Sequence, residues 1–237
     1  MTLETLKQEW LDTPESHYHL KHLLSQLVAD DTELSTHRKW VRDHVFGMGE
    51  DAFHWVWKLL VDEMRNDFRF LEIGCHKCQV ISLIRILSNR ASKNANIFGI
   101  TPMNGAGTGW TEDDYQGDIQ KLHDKFNIEY PNLYRGFSQE EEAVNFANQN
   151  SLFDIVYIDG SHEYNDVEAD LNNYAPLVYR GGFLVMDDCC NDLNFAPTGH
   201  FAGIQPVTDA FLDYMKEHGE KWDFVFNIEH IRVMKRK

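Results

Sequence analysis

The sequence predicts an α/β fold. A doubly wound, mostly parallel sheet of seven strands ends in an antiparallel hairpin, and a layer of helices precedes it. Three observations predict this. After residue 66, short apolar runs alternate with helix-like stretches five times, from Phe68–Ile73 to Gly182–Met186, the pattern of parallel strands joined by crossover helices. The last two apolar runs, Trp222–Ile228 and His230–Met234, have almost nothing between them, as in a tight hairpin. Residues 1–66 instead carry apolar side chains at helical spacing.

In the N-terminal segment the helical period is carried by Leu20, Leu23, Leu24 and Leu27, and again by Phe53, Val56, Trp57, Leu60, Val61 and Met64. Thr13-Pro14-Glu15-Ser16 is a helix start, with proline and an acid in the first turn. Trp10, Trp40, Trp55 and Trp57 are expected to pack this layer on the core. The layer, residues 1–66, is also a candidate substrate cap or homodimer surface, and residues 67–237 form the sheet domain. Strands are expected at Phe68–Ile73, Asn96–Ile100, Leu133–Arg135, Asp154–Ile158 and Gly182–Met186. Helices are expected at Gln79–Ser88, Asp118–Phe126, Glu140–Asn148, Asn165–Val178 and Val207–Glu217. The glycine-rich stretch Thr101–Asp114 reads as a lid, because its NGAGTG lacks the lysine and Ser/Thr of a phosphate-binding loop. The loop Asn191–Pro206 reads as a substrate-recognition segment, with Phe195, His200 and Phe201 as candidates.

With 38 acidic against 22 basic residues the net charge is −16, which disfavours nucleic acid and anionic membranes as partners. The chain has no 18-residue apolar run and no apolar core of a signal peptide at its start, so a cytoplasmic location is expected. The four cysteines, Cys75, Cys78, Cys189 and Cys190, are then expected to be reduced.

The chemistry is expected at one rim of the sheet. The fourth strand ends at Asp159 and the fifth at Asp187 and Asp188, with about one crossover helix between. A strand, helix and parallel strand put both ends on the same rim, where open α/β sheets bind ligands. His162 lies three residues after Asp159. Three carboxylates at one point repel each other unless protons or a cation neutralise them. Oxygen ligands suit Mg²⁺, Mn²⁺ or Ca²⁺. Such an ion lowers the pKa of a substrate hydroxyl, and His162 titrates in the right range to take its proton. The competing reading makes Asp159 a helix cap, Asp187 and Asp188 solvated acids, and His162 a packing residue. The first strand ends Leu71-Glu72-Ile73-Gly74-Cys75-His76-Lys77-Cys78. An acid and then a glycine allow a nucleotide-like ligand to approach the backbone, but the glycines of a dinucleotide fingerprint are missing.

The segments LEIG, GFSQE at Gly136–Glu140, DIVYIDGSHEY and LVMDD, in this order, resemble the class I S-adenosylmethionine-dependent methyltransferases with a Rossmann-like fold. The resemblance is nearest to the metal-dependent O-methyltransferases of the catechol and caffeoyl-CoA type, and to the macrolide-sugar O-methyltransferase and cephalosporin-hydroxylase-like group. It covers about residues 68–235 and omits the N-terminal helices. It implies S-adenosylmethionine as cofactor, with Glu72, Gly74 and Cys75 beside its methionine part and Ser138 and Gln139 near its adenine. Thr101 stands where the ribose-binding acid is usual, and Asp159 borders both cofactor and reaction centre. The resemblance further implies a divalent ion, Mg²⁺ in the first instance, on Asp159, Asp187 and Asp188, with His162 and Asp159 catalytic. The acceptor would be a hydroxyl of a small molecule such as a sugar, phenol or natural product. Cys78, in place of the usual glycine, and Thr101 depart from the pattern and leave a second reading, a non-catalytic protein on the same fold. A third, a zinc or redox enzyme using the cysteines, rests on one C-x-x-C and an adjacent pair, which are poor co-ligands. His17, His19 and His22 read as a solvated helical face.

Overall fold

The structure is a computed structural model and describes residues 1–44, 46–47, 49–103, 115–190 and 204–237. The sheet domain consists of β1 (Asp67–Ile73), α5 (Gln79–Arg90), β2 (Asn94–Thr101), α6 (Tyr115–Phe126), β3 (Asn132–Arg135), α7 (Glu141–Asn150), β4 (Phe153–Ile158), α8 (Tyr164–Tyr174), β5 (Val178–Met186), α9 (Ile204–His218), β6 (Trp222–Ile228) and β7 (Ile231–Arg236). Ahead of it lie α1 (Leu3–Glu9), α2 (Pro14–Asp30), α3 (Thr32–Asp43) and α4 (Asp51–Glu63). The strand order is β3-β2-β1-β4-β5-β7-β6. Pairings are parallel up to β5 and antiparallel between β5, β7 and β6, so the expected seven-stranded fold class is what forms. The chain reverses direction across the sheet between β1 and β4, and that reversal opens the rim to a ligand.

Both faces of the sheet are covered. One packs on α1–α5 through Leu6, Leu24, Val56, Trp57, Leu60 and Ile84, against Phe70, Tyr157, Val185 and Val233. The other packs on α7–α9 through Ala143, Leu171 and Phe211, against Leu71, Val156 and Leu184. This double burial explains why β4 is buried along its whole length and apolar but for Asp154. The N-terminal helices therefore share one core with the sheet. Trp57 is buried and edge-on to Phe70 and Tyr157, the packing role expected of it. Thr13 and Asp31 cap α2 and α3 by accepting from Ser16 N–H and Leu34 N–H.

The differences from expectation are local. α8 stops at Tyr174, and a 3₁₀ turn with Pro176 follows, because proline lacks the N–H that would continue the helix. β5 starts at Val178, four residues before the apolar run. α9 starts at Ile204, so the end of the expected recognition loop is helical. β7 starts at Ile231, leaving Glu229 and His230 as the hairpin turn. His17 is buried rather than solvated, beside Trp10. The NGAGTG stretch and Phe195, His200 and Phe201 lie outside the described residues.

Candidate active site

The sheet register aligns the rim. Glu72 pairs with Tyr157 and Tyr157 with Val185; one residue on, Ile73, Ile158 and Met186 are level. Side chains alternate between faces along a strand. Glu72, Asp159 and Asp187, two residues apart in these rows, thus share the face covered by the N-terminal helices. The first turn lies tight against this rim. Gly74 has φ +88°, and a Cβ there would lie 1.9 Å from the Asp159 carbonyl oxygen, so only glycine lets β1 and β4 end together. Cys78, the departure from the usual glycine, adopts φ 63° at the start of α5. It holds the left-handed conformation a glycine would take there, at a cost of about 1–2 kcal/mol. His76, Asp188 and Glu229 also have positive φ, so backbone strain collects around the rim.

Asp187, Asp188 and His230 form one cluster whose candidate ligand atoms lie within 4.8 Å of one another. His162 Nε2 is 2.9 Å from Asp188 Oδ2 on the other side. Asp159 lies outside the cluster but within its field. Burial, then Asp187, Asp188 and Glu72, push its pKa well up, against a hydrogen bond from the Tyr157 hydroxyl at 3.0 Å. Burial first, then Cys75 and Asp187, also raise Glu72. Asp188 goes the other way: burial would raise it, but His162 and His230 hold it down at about 2. His162 is raised, chiefly by its bond to Asp188, against burial. His230 is raised to about 10, because Asp187 and Asp188 outweigh burial.

These residues fit a cation. Glu72 Oε2 is a buried atom without a hydrogen-bond partner, an arrangement that costs free energy unless a charge answers it, and Asp187 Oδ1 and His230 Nδ1 face each other at 3.2 Å as an ion pair without hydrogen-bond geometry. A divalent ion suits Asp187 and Asp188. The cationic sulfonium and ammonium groups of S-adenosylmethionine suit Glu72 beside the Gly74 turn.

The other expected cofactor residues separate into two groups. Ser138 and Gln139 sit in the β3–α7 connection. Gln139 donates to buried Asp170 at 3.2 Å, and the Ser138 carbonyl accepts from Tyr174. Burial pushes Asp170 up to about 7. Thr101 ends β2, is buried, and its carbonyl accepts from Gly136 N–H; it brings no carboxylate to a ribose. All four cysteines are buried and free, and among the described residues none joins a metal-ligand cluster. Burial raises Cys75, and takes Cys189 to about 11 and Cys190 to about 12, which makes them poor thiolates.

Sequence reasoning missed His230 and the residues behind it. Its signal was topological: a hairpin next to β5 returns its turn to the rim where β5 ends. Phe53 of α4 packs edge-on to the His230 ring at 5.0 Å. Lys21 of α2 forms an ion pair with buried Glu229. The N-terminal layer thus backs the site directly.

Comparison with known proteins bears on the family and the fold. Residues 71–189 match the family model described as a methyltransferase domain. The uncharacterized protein R132 of Acanthamoeba polyphaga mimivirus is 28% identical over 167 residues, 68% of this chain and 71% of the relative. Among solved structures, one from Staphylococcus aureus with the provisional name caffeoyl-CoA O-methyltransferase superposes with a TM-score of 0.66 at 14% identity, covering 93% of this chain and 99% of its own. The likeness in fold therefore reaches into the N-terminal helices. The S-adenosylhomocysteine-bound methyltransferase PaMTH1 of Podospora anserina gives 0.56 at 16% identity, covering 87% and 88%. MycE, of the mycinamycin biosynthetic pathway and solved with Mg, S-adenosylhomocysteine and mycinamycin VI, gives 0.54 at 18% identity, covering 81% of this chain and 50% of MycE. At these identities the superpositions show the fold.

Proposed function

The chain belongs to the methyltransferase-domain family, and from that premise we propose that it is an S-adenosylmethionine-dependent enzyme that methylates a hydroxyl of a small molecule with the help of a divalent ion. The observation that carries this reading is the rim itself: Asp187 and Asp188 gathered with His230 and His162, with Asp159 in their field, beside the Glu72–Gly74 turn. The solved MycE complex, with Mg and S-adenosylhomocysteine, supports it by analogy of fold.

Each residue then has a task. Glu72 offers its buried carboxylate to the positive end of the donor, and the Gly74 turn brings backbone close to it. Gln139, held by Asp170, and Ser138 border the adenine end. S-adenosylmethionine supplies an activated methyl group. A divalent ion supplies a Lewis acid that lowers the pKa of an acceptor hydroxyl. Asp187 and Asp188 hold that ion, with Asp159 behind them. His162, with 43% of its side chain exposed and anchored to Asp188 through Nε2, takes the hydroxyl proton at its other ring nitrogen, Nδ1. The remaining task is alignment of oxygen, methyl and sulfur.

Isothermal titration with S-adenosylhomocysteine tests the donor site, and micromolar binding is expected. No binding at millimolar concentration would sink the enzyme reading and favour the non-catalytic one motivated by Thr101. Methyl transfer that survives both a chelator and Asp187→Ala would remove the metal from the proposal while leaving the donor in place.

A further inference from the structure

The carboxylates account for only part of the rim. The antiparallel register of β5 and β7 pairs Met186 with Arg232. Continued by two residues, it sets His230 opposite Asp188, and Cys189 N–H donates to the His230 carbonyl at 2.7 Å. The ladder of the sheet therefore fixes His230, while Phe53 packs on its ring. Its Nδ1 stands 3.2 Å from Asp187 Oδ1 and 3.1 Å from Asp188 Oδ1. Even so, neither His230 Nδ1 nor Asp187 Oδ1 has a hydrogen-bond partner: the atoms are close but not aligned for an N–H donor. Neighbouring ligands on one ion, each about 2.1 Å from it, stand about 3 Å apart. Glu72, 2% exposed with its Oε2 unpartnered, faces the same rim and feels the charge of Asp187, so the rim gathers more buried carboxylate than His230 alone answers.

We infer that His230 Nδ1 joins Asp187 and Asp188 as a protein donor, making a mixed nitrogen–oxygen site that prefers a divalent transition ion such as Mn²⁺ or Co²⁺ over Mg²⁺. This rests on the reading above that the rim holds a divalent ion. The chemistry follows from donor type. Mg²⁺ takes oxygen and keeps its waters, whereas imidazole suits the later first-row ions, whose affinities rise from Mn²⁺ to Co²⁺. Side-chain exposures of 14% for Asp187 and 12% for His230 leave the donors reachable from solvent. His162, on the far side of Asp188, lies outside this donor set.

The test is direct binding to chelator-treated protein, with Mg²⁺, Mn²⁺ and Co²⁺ as probes in calorimetry. The expected order is Co²⁺ tightest and Mg²⁺ weakest, with Mn²⁺ at least about tenfold tighter than Mg²⁺. His230→Gln should weaken Co²⁺ at least about tenfold and Mg²⁺ less than about threefold. Pulsed electron paramagnetic resonance of bound Mn²⁺ should show coupling to ¹⁴N. That coupling should persist in His162→Gln, which decides the matter even where His230→Gln does not fold. Equal affinities, absence of nitrogen coupling, or unchanged or tighter Co²⁺ binding in His230→Gln would overturn the inference and make His230 an internal counter-charge, with the metal-dependent reading intact. Failure of all three ions to bind at millimolar concentration would overturn both.

Discussion

His37 and His54, between the helices, and His162 and His230, at the rim, are the same residue type under opposite electrostatics. His37 Nδ1 meets His54 Nε2 at 2.9 Å, and His37 Nε2 meets the Ser82 hydroxyl at 2.9 Å, so the pair ties α3, α4 and α5 together. No carboxylate is among the groups that shift them. Burial first, then Arg38 and His123, lower His37 to about 3, and burial, His37 and Arg38 lower His54 well below the ordinary range. At the rim, burial acts in the same direction, but Asp187 and Asp188 reverse it. Burial alone therefore does not set the charge of a histidine; the neighbour does. The helical pair is a neutral structural network. The rim pair is pushed toward the charged form by its carboxylates.

The largest effect is expected from removing the acid that makes the rim what it is. Asp187→Ala should lower methyl transfer by about 10³-fold or more with the circular dichroism spectrum unchanged; activity within about tenfold of the wild type would show that the charged rim is incidental. His54→Ala should break the neutral side. It leaves His37 Nδ1 without its partner and opens a cavity, so unfolding in urea should show a loss of about 2–4 kcal/mol, whereas a loss under about 0.5 kcal/mol would show that the network does not hold the layer.

Acid and alkali should then separate the two regions in metal-free protein. His37 and His54 have depressed pKa values, so their contribution is present above about pH 6.5 and is lost as pH falls, through about 3 for His37. His230 has a raised pKa, so its contribution is present below about pH 6.5 and is lost as pH rises through about 10. Urea midpoints against pH should fall on both sides, with His230→Gln flattening only the alkaline limb; an unchanged alkaline limb would remove the charge assignment. Histidine-ring NMR at pH 7 should show His37 and His54 neutral and His230 protonated. The smallest effect is expected at Cys78→Gly. Relief of the left-handed backbone opposes loss of a buried side chain, and the net change in stability should stay under about 1 kcal/mol. A change of several kcal/mol would mean that the thiol itself organises the turn.

Much of the site was legible in local pattern. Asp159, Asp187 and Asp188 could be placed because a parallel strand that ends in an acid delivers it to a known rim, and Gly74 because the break after β1 needs a close approach. His230 was read as the first residue of a strand, since nothing near it in sequence speaks of β5. Cys78 read as a defect in the turn, because a residue letter does not display its φ. Lys21 and Glu229 lie in segments far apart in the chain, and only the packing of α2 on the hairpin joins them.

The order of apolar runs, helix periods and breaks was enough to determine the layers, the mostly parallel sheet and the rim, because periodicity and crossover handedness leave few ways to bury those runs. The company of each charge was settled by tertiary structure. Strand register set His230 opposite Asp188, and packing left His37 and His54 in a buried seam where no carboxylate raises them. Electrostatic energy depends on distances of a few ångströms between residues remote in sequence, and those distances exist only once the chain has folded.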